Sequence, residues 1–160
     1  MNTTQLLGLI PLVPLLAVPA IFATAHWPNV RETVSVLTGL VLLGLVVTLV
    51  DQVGSQAAPT LVLAEPVPGL TLALSPEPLG MLFALVASFV GPVSTVYAIG
   101  YMRAHLEDYQ TRFYEAFAAS SAANMGFGLS ANMLTLFLFY ELLTLASYPL
   151  VIHAFDDDAR

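Results

Sequence analysis

One acidic side chain stands inside a long apolar run. Glu141 is embedded in Leu136-Phe-Leu-Phe-Tyr-Glu-Leu-Leu-Thr-Leu-Ala-Ser-Tyr148. The run predicts a helix over 132–153, with Glu141 nine residues from Asn132 and twelve from His153. At 1.5 Å per residue the carboxyl stands about 14 Å from one end and about 18 Å from the other. That is the middle of a bilayer, where an ionised carboxylate costs on the order of 3 kcal/mol even on lenient insertion scales. Thr144 and Tyr148 share its helical face and make a polar stripe that should meet other protein or a hydrated cavity. The chemistry offered is that of a proton or ion site, a carboxyl whose proton affinity answers to desolvation and to nearby charge. The competing reading is a hydrogen-bonded Glu that only holds helices together; ionisable residues inside membrane spans mark pathways as a rule, which favours the first. Glu115, expected in the first turn of another helix, serves a helix dipole as readily as transport. His153 ends the Glu141 helix, and Asn124 is expected as an interhelical hydrogen-bond donor.

Other chemistries lack their residues. Cysteine is absent, which removes disulfides, thiol nucleophiles and sulfur-ligated clusters. His26, His105 and His153 are scattered, so no metal site and no cofactor are expected. Four Arg and no Lys argue against a nucleic-acid partner.

The elements that must position Glu141 follow from composition. The 160 residues are 58% hydrophobic and 9% charged, with a mean hydropathy of +0.83. Soluble domains carry about a quarter charged residues, so this surface suits lipid rather than water. The pattern predicts an all-α membrane protein, one transmembrane domain over 1–160, with helices at about 6–24, 33–53, 79–101, 113–129 and 132–153. Pro11, Pro14 and Pro19 fall in the first, which membrane helices tolerate. Ala23-Thr24-Ala25 resembles a cleavage site, but Met1 to Gln5 carries no basic residue, so a retained helix is expected rather than a signal peptide. Between helices two and three, two short apolar runs flank Pro66-Val67-Pro68-Gly69 and predict a surface β-hairpin at about 59–76. Gly91-Pro92 is a kink candidate in helix three. Helix four is crowded with Ala, Ser and Gly from Ala116 to Gly128, spacing that lets backbones approach inside a bundle.

Five spans put Arg31, Arg103, Arg112 and Arg160 on one side. The positive-inside rule makes that side cytoplasmic, leaving the N-terminus and hairpin outside and the C-terminus, with Asp156 to Asp158, inside. The expected location is the inner, cytoplasmic membrane.

Tyr97-Ala-Ile-Gly-Tyr-Met102, a polar gap, and then Leu129 to Val151 with its Phe-Tyr-Glu centre resemble a known family. It is the antiporter-like subunit family of Mrp-type multisubunit cation/proton antiporters, respiratory complex I (NADH-quinone oxidoreductase) and membrane-bound hydrogenases; Tyr148-Pro-Leu-Val151 and His153 look most like the Mrp D-type branch. The resemblance implies that Glu141 is the glutamate that pairs with a lysine on a later helix and tunes its proton affinity. This sequence has no lysine. It implies partner membrane subunits in a multisubunit complex, including a chain that carries the remaining helices and their lysines, or else a sequence that is one part of a longer protein. The expected function is the N-terminal part of a proton-translocating subunit, by monovalent cation/proton antiport or by redox-driven pumping. The alternative is a structural or assembly subunit without transport of its own. Any quinone or hydrogenase chemistry would belong to partners.

Overall fold

A computed structural model describes residues 2–53, 59–105 and 109–153. The Asp156–Asp158 run and Arg160 lie outside the described residues, as does the side chain of His153. Five helices and one hairpin follow in chain order: α1 (Thr3–Ala23), α2 (Pro28–Val53), β1 (Leu61–Val67), β2 (Leu70–Leu74), α3 (Pro78–His105), α4 (Gln110–Gly128) and α5 (Met133–His153). Gln5 Oε1 accepts from the Asn2 N–H at 3.1 Å, which satisfies a donor at the start of α1. The second helix begins at Pro28 rather than at Thr33, because proline at the first helical position gives up no needed N–H and has its φ already set. Pro11, Pro14 and Pro19 sit inside α1 and Pro92 inside α3, and both helices continue through them.

Four of the five helices, α1, α2, α3 and α5, are long and apolar enough to cross a membrane by themselves. The fourth falls short because Gln110, Thr111, Arg112, Glu115, Ser120, Ser121 and Asn124 interrupt its apolar residues. Its protection comes from protein instead: α4 packs chiefly on α5 and α1, burying Tyr114, Ala116, Ala118, Ala122, Ala123, Met125 and Gly126. A side chain at Gly80 would overlap the backbone carbonyl of Gly128, so α3 and α4 touch main chain to main chain near the hairpin. These are the close approaches that small residues allow.

The hairpin strands pair antiparallel, Leu61 opposite Leu74 and Val67 opposite Leu70. Gly69 turns the chain at φ 84°, a conformation free of strain only for glycine, and Glu65 Oε1 accepts its N–H at 2.8 Å. The hairpin is held down by the α4–α5 turn. Asn132 Nδ2 donates to the Thr71 carbonyl at 2.7 Å, while its Oδ1 accepts from the Thr135 N–H at 2.9 Å. This makes Asn132 the N-cap of α5 and the anchor of β2 together. Thr135 Oγ1, fully buried, accepts from the Ala73 N–H at 2.9 Å. The Ala131 N–H donates to the Ala73 carbonyl and the Ser75 N–H to the Leu129 carbonyl.

Two apolar clusters fill the bundle. The one beneath the hairpin joins Leu6, Leu7 and Ile10 to Leu42, Val46, Leu49, Leu74, Met125 and Leu129. The other, near the opposite end, holds Ala17, Ile21, Met102, Tyr114 and Ala118.

Candidate functional site

The rotation of α5 decides what Glu141 faces. Phe139 packs against Gly126, where no side chain competes for the space. Leu143, Ser147 and Leu150 turn toward α3 and α4, where they line a shallow groove with Ser94, Ser120 and Asn124. With 100° between successive residues, Glu141 points to the other side of the helix. There it is exposed, together with Thr144 and Tyr148. Only 6% of the most apolar stretch of α5 is buried, the smallest share of the four apolar helices.

The polar stripe therefore lies on the outer face of α5, and nothing described in this chain covers it. Glu141 makes no hydrogen bond or ion pair among the described residues. Thr144 Oγ1 donates to the Tyr140 carbonyl at 3.0 Å, leaving an oxygen lone pair free beside the carboxyl. Tyr148, one helical turn further, is 64% exposed. His153 belongs to the last turn of α5 by its backbone.

Glu115 is not a cap. The fourth helix starts at Gln110, which places Glu115 in its second turn, beyond the unpaired N–H groups of the first. Its Oε1 is buried and has no hydrogen-bond partner. The Gly126–Phe139 contact sets the two antiparallel helices in register, and Glu115 then lies roughly 13 Å from Glu141 along the bundle. The two carboxyls do not form one site. Asn124, expected to bond between helices, makes no hydrogen bond among the described residues.

A charged cluster that sequence reading treated only as topology sits at the end opposite the hairpin. Arg103 pairs with Glu32 through two hydrogen bonds, one from Nε to Oε1 at 3.1 Å, and also donates to Asn29 Oδ1 at 2.6 Å. The neighbouring Arg31 is buried and donates to Gln110 Oε1 at 2.8 Å and Thr111 Oγ1 at 2.9 Å. Its guanidinium lies 5.2 Å from the centre of the Tyr114 ring, within cation–π reach. The start of α2 is thus bound to the end of α3 and the start of α4. The signal was the adjacent Arg31-Glu32 pair just after a proline, opposite Arg103 in a chain with few charges. Among the described residues no group of three or more His, Cys, Asp or Glu could hold a metal ion.

No family model matches the chain. Among curated proteins it is similar to the Na(+)/H(+) antiporter subunit A1 of Staphylococcus aureus (strain bovine RF122 / ET3-1), 32% identical over 83 residues, which is 52% of this chain and 10% of that protein. The subunit A1 of Staphylococcus aureus strain JH9 matches to the same extent. The chain thus spans about a tenth of the length of these relatives. Among solved structures, a chain of the membrane-bound sulfane sulfur reductase, an archaeal respiratory membrane complex, shares the fold with a TM-score of 0.77 at 16% identity, over 90% of this chain and 29% of that one. These likenesses are a sequence similarity to one part of a Na(+)/H(+) antiporter subunit and a fold shared with one part of a respiratory membrane complex chain.

Proposed function

We propose that this chain is the N-terminal part of a proton-translocating antiporter-like subunit, working inside a larger membrane complex with Glu141 in the ion pathway. The observation that carries the reading is an acid at mid-depth of α5, on a face that the described residues leave open, with no hydrogen-bond or ion-pair partner among them. A carboxylate facing lipid is costly, whereas a carboxylate facing a cationic helix is stabilised. The chain has no lysine, so the cation comes from helices outside this sequence. Charge moving near Glu141 would alter the proton affinity of that neighbour, and the proton would move on by electrostatic coupling. Thr144 and Tyr148 would hydrogen-bond the pathway on the same face, and Glu115 and His153 are supporting groups toward the end with the arginines. The D-type branch suits the Tyr148-Pro-Leu-Val151 ending. The arginine end is taken as cytoplasmic, in the inner membrane.

The test is proton flux in vesicles that carry the assembled complex, normalised to complex on a native gel. Glu141→Gln keeps the shape of the side chain and removes its charge, so assembly should persist while flux falls severely. Full flux with normal assembly would make the chain a structural or assembly subunit.

A further inference from the structure

Between the two apolar clusters the interior of the bundle turns polar. A cavity there offers about 40 Å³ to the centres of water-sized molecules, and Ser35, Thr38, Ser88, Thr95, Ser121 and Asn124 contribute to its lining. Each of the five hydroxyls donates to a carbonyl of its own helix: Ser35 to Arg31, Thr38 to Val34, Ser88 to Leu85, Thr95 to Gly91 and Ser121 to Phe117, at 2.7 to 3.0 Å. Their protons are spent, so each oxygen has only acceptor capacity left for the cavity. Asn124 brings an amide with no hydrogen bond among the described residues. An unpaired amide at membrane depth is costly, and a row of acceptors beside it calls for a small molecule rich in donors.

We propose that this cavity is an internal water site, holding about two or three molecules by the volume each one needs. Water alone fits the chemistry. It donates to the hydroxyl oxygens, accepts from the Asn124 amide, and needs no counter-charge where no carboxylate lines the wall. The site is not sealed. Gly91, Phe117, Ser121 and Asn124 also line the open groove between α3, α4 and α5, where Ser120 Oγ is a further buried hydroxyl without a partner. Ser121 and Asn124 therefore form the passage by which water exchanges between the core and the lateral face. The inference stands on its own residues, whether or not Glu141 carries a proton.

Two buried methionines supply the test. Met125 lines the cavity, whereas Met102 lies in the apolar cluster beyond it. They are 1% and 4% exposed, so bulk solvent reaches neither. The full chain in lipid nanodiscs is irradiated with millisecond X-ray pulses, which convert water close to a side chain into hydroxyl radical, and oxidation is read by mass spectrometry. Met125 should be oxidised several-fold faster than Met102. Asn124→Leu should bring Met125 down to the rate of Met102. Ser88→Val, which alters the cavity without touching the groove, should lower it as well and serves if the first variant does not fold. Equal rates for Met125 and Met102 in the unaltered chain would mean a dry cavity and overturn the proposal. So would a Met125 rate that neither folded variant changes.

Discussion

The ring of Phe139 on α5 occupies the space that any side chain on Gly126 of α4 would need. This contact fixes both the closeness of the two helices and the rotation of α5, and through that rotation it turns Glu141 outward. Gly126→Ala should therefore destabilise the chain by about 1–3 kcal/mol, the usual cost of overpacking, seen as a lower thermal midpoint in detergent. Phe139→Ala should cost less in the Gly126→Ala background than in the unaltered chain, because the clash is with that side chain. Gly80→Ala should be harsher and should resist rescue by trimming a side chain, since its clash is with the Gly128 main-chain carbonyl. Equal tolerance of both substitutions would contradict the close approach of α4 to its neighbours.

Arg31 makes a second kind of joint, with its charge buried and two hydrogen bonds reaching the first residues of α4. Arg31→Met keeps the length and removes both bonds. The expected loss is about 2 kcal/mol, in the range for hydrogen bonds to a charged group. Glu32→Gln should also weaken the joint by unpairing Arg103, whose side chain is 53% exposed and can turn to water. For that reason Glu32→Gln is expected to lower the thermal midpoint less than Arg31→Met. The reverse order would show that the Glu32 pair, and not Arg31, closes this end of the bundle.

These joints carry no local signal in the sequence. Apolar run lengths gave the helices and Pro66 to Gly69 gave the hairpin, because both signals are local. Composition alone does not set α4 apart from the other helices; its hydropathy is lower and its burial is against α1 and α5, and packing is not a local property. The Glu32–Arg103 pair joins positions 71 residues apart, which no periodicity reveals. Glu141, Thr144 and Tyr148 were readable as one helical face, since i, i+3 and i+7 share a side. That the face is the outer one depends on Gly126 meeting Phe139, a contact between helices. Glu115 depends on three residues of helix start: α4 begins at Gln110, which makes it a second-turn acid with one carboxylate oxygen buried.

The arginines described by the structure gather at one end, and the hairpin marks the other. If the arginine end is cytoplasmic, single cysteines in this cysteine-free chain will report it directly. Glu65→Cys on the exposed hairpin should react with a membrane-impermeant maleimide added to intact cells. Trp27→Cys, in the exposed turn between α1 and α2, should react only after the membrane is opened. The opposite pattern would invert the topology, and labelling of both from outside would mean that α2 does not span.

Glu141 allows stability and transport to be separated, because its carboxyl makes no hydrogen bond or ion pair among the described residues. Residues that hold the fold should alter both readouts when changed; a residue waiting for an outside partner should alter only one. Glu141→Leu removes a midplane carboxyl from an open face, so the chain produced alone should insert better, by up to about 3 kcal/mol on insertion scales. Its thermal midpoint in detergent should not fall, since no hydrogen bond or ion pair among the described residues is lost. In the assembled complex the same substitution should abolish proton flux, and Glu141→Asp, one methylene shorter, should retain part of it. Thr135→Val is the control in the same helix: it breaks the buried bond to Ala73 and should lower the midpoint of the isolated chain. If Glu141→Leu destabilised the isolated chain as Thr135→Val does, the carboxyl would be part of the fold rather than a group held out to a partner.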